Sequence, residues 1–230
     1  MNIKKISKID LTNKTAYLTA VIIGDGNLSN KSKTDLSKDY RITIDISDKE
    51  YLIYLSNLIH SIIKTKTIPK KSPQRENRIP RLYLTIRNKG LFYFLNKDME
   101  IPKGKKSSIV SVPSKIYNST KEIKRFFLAG YFDTDGGFRS NSIGFTTASK
   151  RLNNEISNLL LEFKIKHSIE MWINKKYKKE FYGIRIKKNE IDTFLKTFPL
   201  QNKEKLIRIC KRFNAEVPEW PNGIDHSNQL

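Results

Sequence analysis

The chain has 230 residues, 38% of them hydrophobic, and its 44 Lys and Arg against 23 Asp and Glu give a formal net charge of +21. That length can bury a core as one compact domain or two small ones, and the charge favours a polyanionic partner drawn in at long range. A single cysteine, Cys210, excludes an internal disulfide or a cysteine-based zinc site, and no stretch approaches a membrane span. His60, His167 and His226 are scattered, without metal-ligand spacing. Abundant Lys, Ile and Asn also fit an AT-rich genome, yet codon bias alone need not leave acidic residues so scarce. The start, Met1-Asn2-Ile3-Lys4-Lys5, leads into no apolar signal segment. A soluble, intracellular protein is expected, in a prokaryotic cytoplasm or an organelle matrix.

In chain order, a helix is predicted from about Thr12 to Asp25, with Thr12 or Asn13 as its cap. A short strand, Asn27 to Lys31, follows. Tyr40 to Ser47 alternates strictly, with Ile42, Ile44 and Ile46 on one face and Arg41, Thr43, Asp45 and Ser47 on the other. Ser47 and Glu50 form a capping-box pattern that opens a helix to about Ile63, with Leu52, Leu55, Leu58, Ile59 and Ile62 at helical spacing. A strand is expected near Lys66, another from Arg81 to Arg87, and a short helix at Leu91 to Leu95. Residues 99–120, polar and carrying Pro102, Gly104 and Pro113, read as a linker between an N-terminal half, 1–98, and a C-terminal half, 121–230.

Ser119 and Glu122 repeat the capping-box pattern before a second helix ending at Asp135. The order then recurs: a strand near 138–147, a helix from about Ser149 to Phe163, strands His167 to Asn174 and Phe181 to Lys187, and a helix near 189–198. A further helix, 201–213, closes this half, and Pro218 to Leu230 reads as irregular. The fold class is therefore α+β, a tandem repeat of an αββαββα unit with a four-stranded antiparallel sheet in each half and helices on one face. The opposite sheet faces are polar and basic: Arg41, Thr43, Arg81, Tyr83, Thr85 and Arg87 in one half, Glu170, Trp172, Asn174, Arg185 and Lys187 in the other. A solvated outer face is the ordinary explanation of such alternation. Its presence in both halves of so basic a chain favours a surface for nucleic acid, since a β-ribbon fits the DNA major groove. Asn27, Ser29, Lys31, Asp45, Lys70, Arg139 and Ser140 extend that candidate surface.

One nine-residue phrase occurs twice: Leu18 to Gly26, and Leu128 to Gly136. Both copies begin with Leu, place a small residue third and end in Asp-Gly. Small residues four apart, Ala20 with Gly24 and Gly130 with Thr134, lie on one helical face and let two helices approach closely. Side by side, the helices would deliver Asp25 and Asp135 to one place. Two carboxylates at helix C-termini repel each other and face the negative end of the helix dipole. A divalent cation relieves both problems, and an oxygen-only ligand set favours Mg²⁺.

Here the chain resembles the LAGLIDADG homing endonucleases. The second copy matches the family phrase at six of nine places, with Tyr131, Phe132 and Thr134 as substitutions. The first copy departs at Thr19, Ala20, Val21, Ile23 and Gly24 but keeps its final Asp-Gly. The resemblance covers roughly residues 12 to 213 and implies a single-chain, pseudo-twofold protein whose two sheets form a DNA-binding saddle. It implies Asp25 and Asp135 as metal ligands and catalytic residues, with the backbone carbonyls of Gly24 and Thr134 as further ligands. It also implies a basic residue near the scissile phosphates, mapped to Lys187 and Arg87, and a polar residue ordering water, mapped to Ser47. Asp133 is expected to be a packing or helix-end residue, because the first copy has Ile23 there.

The resemblance further implies Mg²⁺ as cofactor, with Mn²⁺ substituting and Ca²⁺ supporting binding without cleavage. The implied partner is a double-stranded DNA target of about two helical turns, bound by a monomer. Relatives acting as intron RNA maturases or as inactive DNA-binding proteins give the alternative reading, and both aspartates favour the nuclease. An intein is not expected, since the chain has neither an N-terminal Cys or Ser nor a His-Asn end. The Asp-x-Asp-Gly of HAD-type phosphatases would need to end a strand, and an EF-hand loop starting at Asp133 would meet Gly144 in place of its terminal Glu.

Overall fold

The structure, a computed structural model, describes residues 8–30, 39–72, 81–176 and 178–219. The first half runs α1 (Asn13–Asp25), β1 (Gly26–Ser29), β2 (Arg41–Ile46), α2 (Lys49–Ile63), β3 (Lys70–Lys71), β4 (Leu82–Arg87) and α3 (Lys89–Tyr93), the last extended by a π-turn, Phe94–Asp98. A one-turn helix, α4 (Ser114–Tyr117), precedes the second half: α5 (Lys121–Asp135), β5 (Gly136–Arg139), β6 (Ser142–Thr147), α6 (Lys150–Glu162), β7 (His167–Asn174), β8 (Lys179–Ile186) and α7 (Ile191–Thr197). α8 (Lys203–Phe213) follows. Both halves thus repeat αββαββα. Their sheets have matching antiparallel orders, β1-β2-β4-β3 and β5-β6-β8-β7.

Local sequence explains most boundaries. Thr12 caps α1 by accepting from the Thr15 amide, while the Thr15 hydroxyl receives the Thr12 amide at 2.7 Å. Two expected caps are corrected by one residue. Asp48, not Ser47, receives the Tyr51 amide at the start of α2, and Thr120, not Ser119, receives that of Ile123 at the start of α5. In each case an adjacent oxygen has the extended backbone a cap needs, and Ser119 instead donates its hydroxyl to the Ile116 carbonyl. The strand expected near 138–147 is a hairpin, β5–β6, turning at Ser140, whose φ of 50° lies in the left-handed region. The strand expected near Lys66 is only the two-residue β3. Lys31 and residues 220–230 lie outside the described residues.

The core lies beneath the sheets. Leu28, Ile42, Ile44, Leu84 and Ile86 from the first sheet, and Ile143, Phe145, Ile184 and Ile186 from the second, are buried against the helices. Residues 99–120 also feed it, through Met99, Ile101, Val110, Val112 and Ile116. At the centre α1 and α5 pack side by side and parallel. A Cβ on Gly130 would stand 2.5 Å from the Tyr17 carbonyl oxygen, and one on Gly24 would overlap the Thr134 side chain. Thr134 is therefore no small partner in this interface: its side chain occupies the space that Gly24 leaves.

Candidate active site and nucleic-acid interface

The parallel packing of α1 and α5 brings their C-terminal aspartates together. Asp25 and Asp135 lie close together, with an Asp135 carboxylate oxygen 3.4 Å from a Cβ placed on Gly24, the residue before Asp25. Both side chains keep contact with solvent but are ringed by protein. Burial raises the Asp25 pKa, against the opposing pull of Lys205 and Lys106. Burial, then repulsion from Asp25, raises Asp135 to about 6. Because both remain open to water, screening reduces the energetic weight of these shifts.

Two lysines meet this pair. Lys106 donates to the carbonyls of Ile23 and Gly24 at 2.6 and 3.2 Å, at the end of α1. Lys205, from the first turn of α8, donates to the carbonyls of Phe132, Asp133, Thr134 and Gly136 at 2.7–3.2 Å, at the end of α5. Each satisfies carbonyls that a helix terminus leaves without partners and places a cation at the negative dipole end. Neither was found by sequence reasoning: 82–83 residues separate Lys106, and 69–73 separate Lys205, from the carbonyls they meet, and a lysine in so lysine-rich a chain carries no signal. Lys187 and Arg87, the basic residues expected near the scissile phosphates, do not share these helix-end carbonyls. Lys187 caps a 3₁₀ turn, Lys188–Glu190, and Arg87 pairs with Asp39 at 3.0 Å. Both close the far ends of their strands, away from the helix termini.

Asp133 is a structural member of the motif. Its carboxylate is buried and accepts from the Tyr17 hydroxyl and, at 2.6 Å, from the Gln201 amide. Tyr51 meets the Tyr17 hydroxyl at 2.8 Å, extending this chain into α2. Beside it, a groove of about 420 Å³ is lined by Asp25, Ser47, Arg81, Lys205 and Arg208 among others, so Ser47 does share a cavity with Asp25.

Strand register sets the outer faces. Asn27, Thr43 and Thr85 align across the first sheet, as do Ser29, Arg41 and Arg87, and Asp45, Tyr83 and Lys70. In the second sheet Arg185 lies opposite Ser168, Trp172 opposite Phe181, and Asn174 opposite Lys179. The arginines are held by neighbours: Arg41 and Arg87 by Asp39, Arg81 by Asp45 at 3.9 Å, and Arg185 by Glu170 at 2.7 Å. Arg139 is less free than the alternation suggests. It donates to the Phe145 carbonyl at 2.7 Å and to the Thr146 hydroxyl, and its guanidinium lies 5.1 Å from the Trp172 ring centroid. The Ser140 carbonyl accepts from Arg212 at 2.6 Å.

Two halves of one topology are thus joined at parallel helices that end in carboxylates. The profile of the LAGLIDADG-like domain matches residues 122–199. The chain is 18% identical to the homing endonuclease I-DmoI solved in complex with DNA and Mn, with a TM-score of 0.64 over 82% of this chain and 97% of that one. I-DmoI has also been solved with DNA and Ca, and a variant with its target DNA in the presence of Mg. Among curated proteins, the replication factor C small subunit of Methanocaldococcus jannaschii is 28% identical over 91% of this chain and 11% of its own length. The probable translation initiation factor IF-2 of the same organism is 29% identical over 91% of this chain and 17% of its length. The chain thus spans between a tenth and a fifth of these relatives. Residues 122–199 are similar to the LAGLIDADG-like domain, and the chain shares the fold of I-DmoI. Among the described residues, no helix is long and apolar enough to cross a membrane.

Proposed function

We propose that this protein is a site-specific endonuclease that hydrolyses both strands of a long, asymmetric double-stranded DNA target. The observation that carries this reading is the convergence of Asp25 and Asp135 at one point, flanked by Lys106 and Lys205, beneath two basic sheet faces. The match of one segment to both a replication factor and an initiation factor, each many times longer, also fits a module that moves between hosts.

The donor set fits a hard divalent cation. Asp25 and Asp135 offer only oxygens, and their mutual repulsion is what a cation relieves. These two carboxylates would hold it. The Gly24 and Thr134 carbonyls, each already accepting from a lysine at 3.2 Å, keep one lone pair to offer. When bound, Mg²⁺ supplies activation of water and neutralisation of charge at the phosphate. Lys106 and Lys205 hold the helix ends rigid and add fixed positive charge. The sheets, acting as a monomer's two half-sites, each follow about one turn of major groove.

Incubation with a randomised double-stranded library tests this reading. With Mg²⁺ or Mn²⁺, one long site cut on both strands is expected, and with Ca²⁺ binding alone. Asp135→Asn should abolish cleavage and leave binding intact; a variant that still cuts both strands would overturn the assignment. Binding without cleavage in every ion would point to a maturase or regulator, with intron RNA as the next ligand.

A further inference from the structure

Arg41 and Arg87 stand directly opposite one another in the β2–β4 register. Like charges so placed repel, and two long side chains left to themselves would splay outward. Asp39 prevents this. One carboxylate oxygen accepts from the Arg41 guanidinium and the other from Nε of Arg87 at 3.0 Å. Asp39 is itself anchored, its carbonyl accepting the Arg41 amide at 3.0 Å. The carboxylate keeps limited solvent access, 26% of its side-chain surface, while Arg41 and Arg87 keep 42% and 63% of theirs. Arg87 is held at Nε, which leaves its two terminal nitrogens to the outside, whereas Arg41 is held at one terminal nitrogen and presents the other. The second sheet has a related pair, Glu170 with Arg185 at 2.7 Å.

We propose that Asp39 is a positioning residue for specificity: it holds Arg41 and Arg87 as one preorganised pair that reads guanine edges in the major groove, and withholds them from backbone phosphates. This rests on the DNA-reading function proposed above. Three physical points carry it. An arginine reads guanine by a bidentate fork, which succeeds only if the guanidinium plane is fixed beforehand. An arginine with a free choice of acceptors finds the more numerous and more negative phosphates, which add affinity without sequence information. A carboxylate behind the pair also repels a phosphate misplaced close to it.

The test uses the full chain and two variants, Asp39→Asn, which keeps the shape, and Asp39→Ala. Each is bound in Ca²⁺ to a randomised duplex library, selected molecules are sequenced, and affinity for an unrelated duplex is measured over a range of salt. The wild type should select guanine at one or two adjacent positions in one half-site. Both variants should lose roughly tenfold of that preference, at those positions alone. They should also bind unrelated duplex several-fold more tightly, with a steeper salt dependence. Arg41→Ala should lose the same positions and add little in combination with Asp39→Asn. Variants that gain affinity uniformly while keeping the wild-type base profile would overturn the role of Asp39 and leave the nuclease reading standing. A wild-type chain that selects no site would overturn both.

Discussion

At Gly130 the two motif helices approach too closely to admit a side chain. A methyl group there meets the Tyr17 carbonyl at 2.5 Å, which is backbone and cannot swing aside. Gly130→Ala should destabilise the protein by about 1–3 kcal/mol, read by urea denaturation. Gly24→Ala meets the Thr134 side chain instead, so pairing it with Thr134→Gly should restore part of the loss, whereas no such partner rescues Gly130. Asp135 makes a different prediction. Its folded pKa of about 6 exceeds the ordinary value of 3.8, so the folded state takes up its proton first. In metal-free protein the carboxyl therefore favours folding at acid pH, fully so below 3.8, and this contribution is lost as pH rises through about 6. Asp135→Asn should flatten that decline in melting temperature, and Ca²⁺ should raise the melting temperature of the wild type but not of the variant.

Among the elements, α8 shows how a helix outside the repeat serves the centre. Its approach is fixed by the Gln201 amide on Asp133, its cap by Asn202, which accepts the Lys205 amide at 3.0 Å, and its first turn by Lys205 on the α5 carbonyls. Asp133→Ala leaves the Tyr17 hydroxyl and the Gln201 amide without their acceptor, so a loss of about 2–4 kcal/mol is expected on chemical denaturation. Asp133→Asn retains an acceptor and should lose much less. Lys205→Met removes a cation from one helix end, with a loss of about 2 kcal/mol and a slower cleavage rate in single-turnover assays. Among the described residues, the first half has no counterpart of α8. Lys106 does that work from the segment between the halves, a different route to the same cation at the end of α1.

For the molecule as a whole, charge and symmetry act together. A net charge of +21 draws in a polyanion, but the arginines of the sheet faces are tied to Asp39, Asp45 and Glu170. Long-range attraction is therefore a property of the net charge as a whole, and local recognition falls to a smaller, ordered set. Affinity for unrelated duplex should fall steeply and linearly on a log–log plot against salt. Discrimination between the selected site and unrelated duplex should change less, because base-edge contacts release few counterions. A discrimination ratio that collapses together with affinity would argue against readout by the sheet faces.

The repeat of Leu18–Gly26 in Leu128–Gly136, the alternation of Ile42, Ile44 and Ile46, and the helical spacing of Leu52, Leu55, Leu58 and Ile59 are local patterns, and they were enough to determine both αββαββα halves. The two motif aspartates were legible for the same reason: the helix that carries each one also ends at it. The caps at Asp48 and Thr120 were missed by one residue because several neighbouring oxygens could serve, and only backbone geometry selects among them. The flanking cations, the buried Tyr17–Asp133–Gln201 chain and the Asp39 clamp were decided by tertiary structure alone. Each joins residues on different elements, and in a chain with 44 basic residues nothing in the sequence separates the few lysines and arginines that meet a partner from those that meet water.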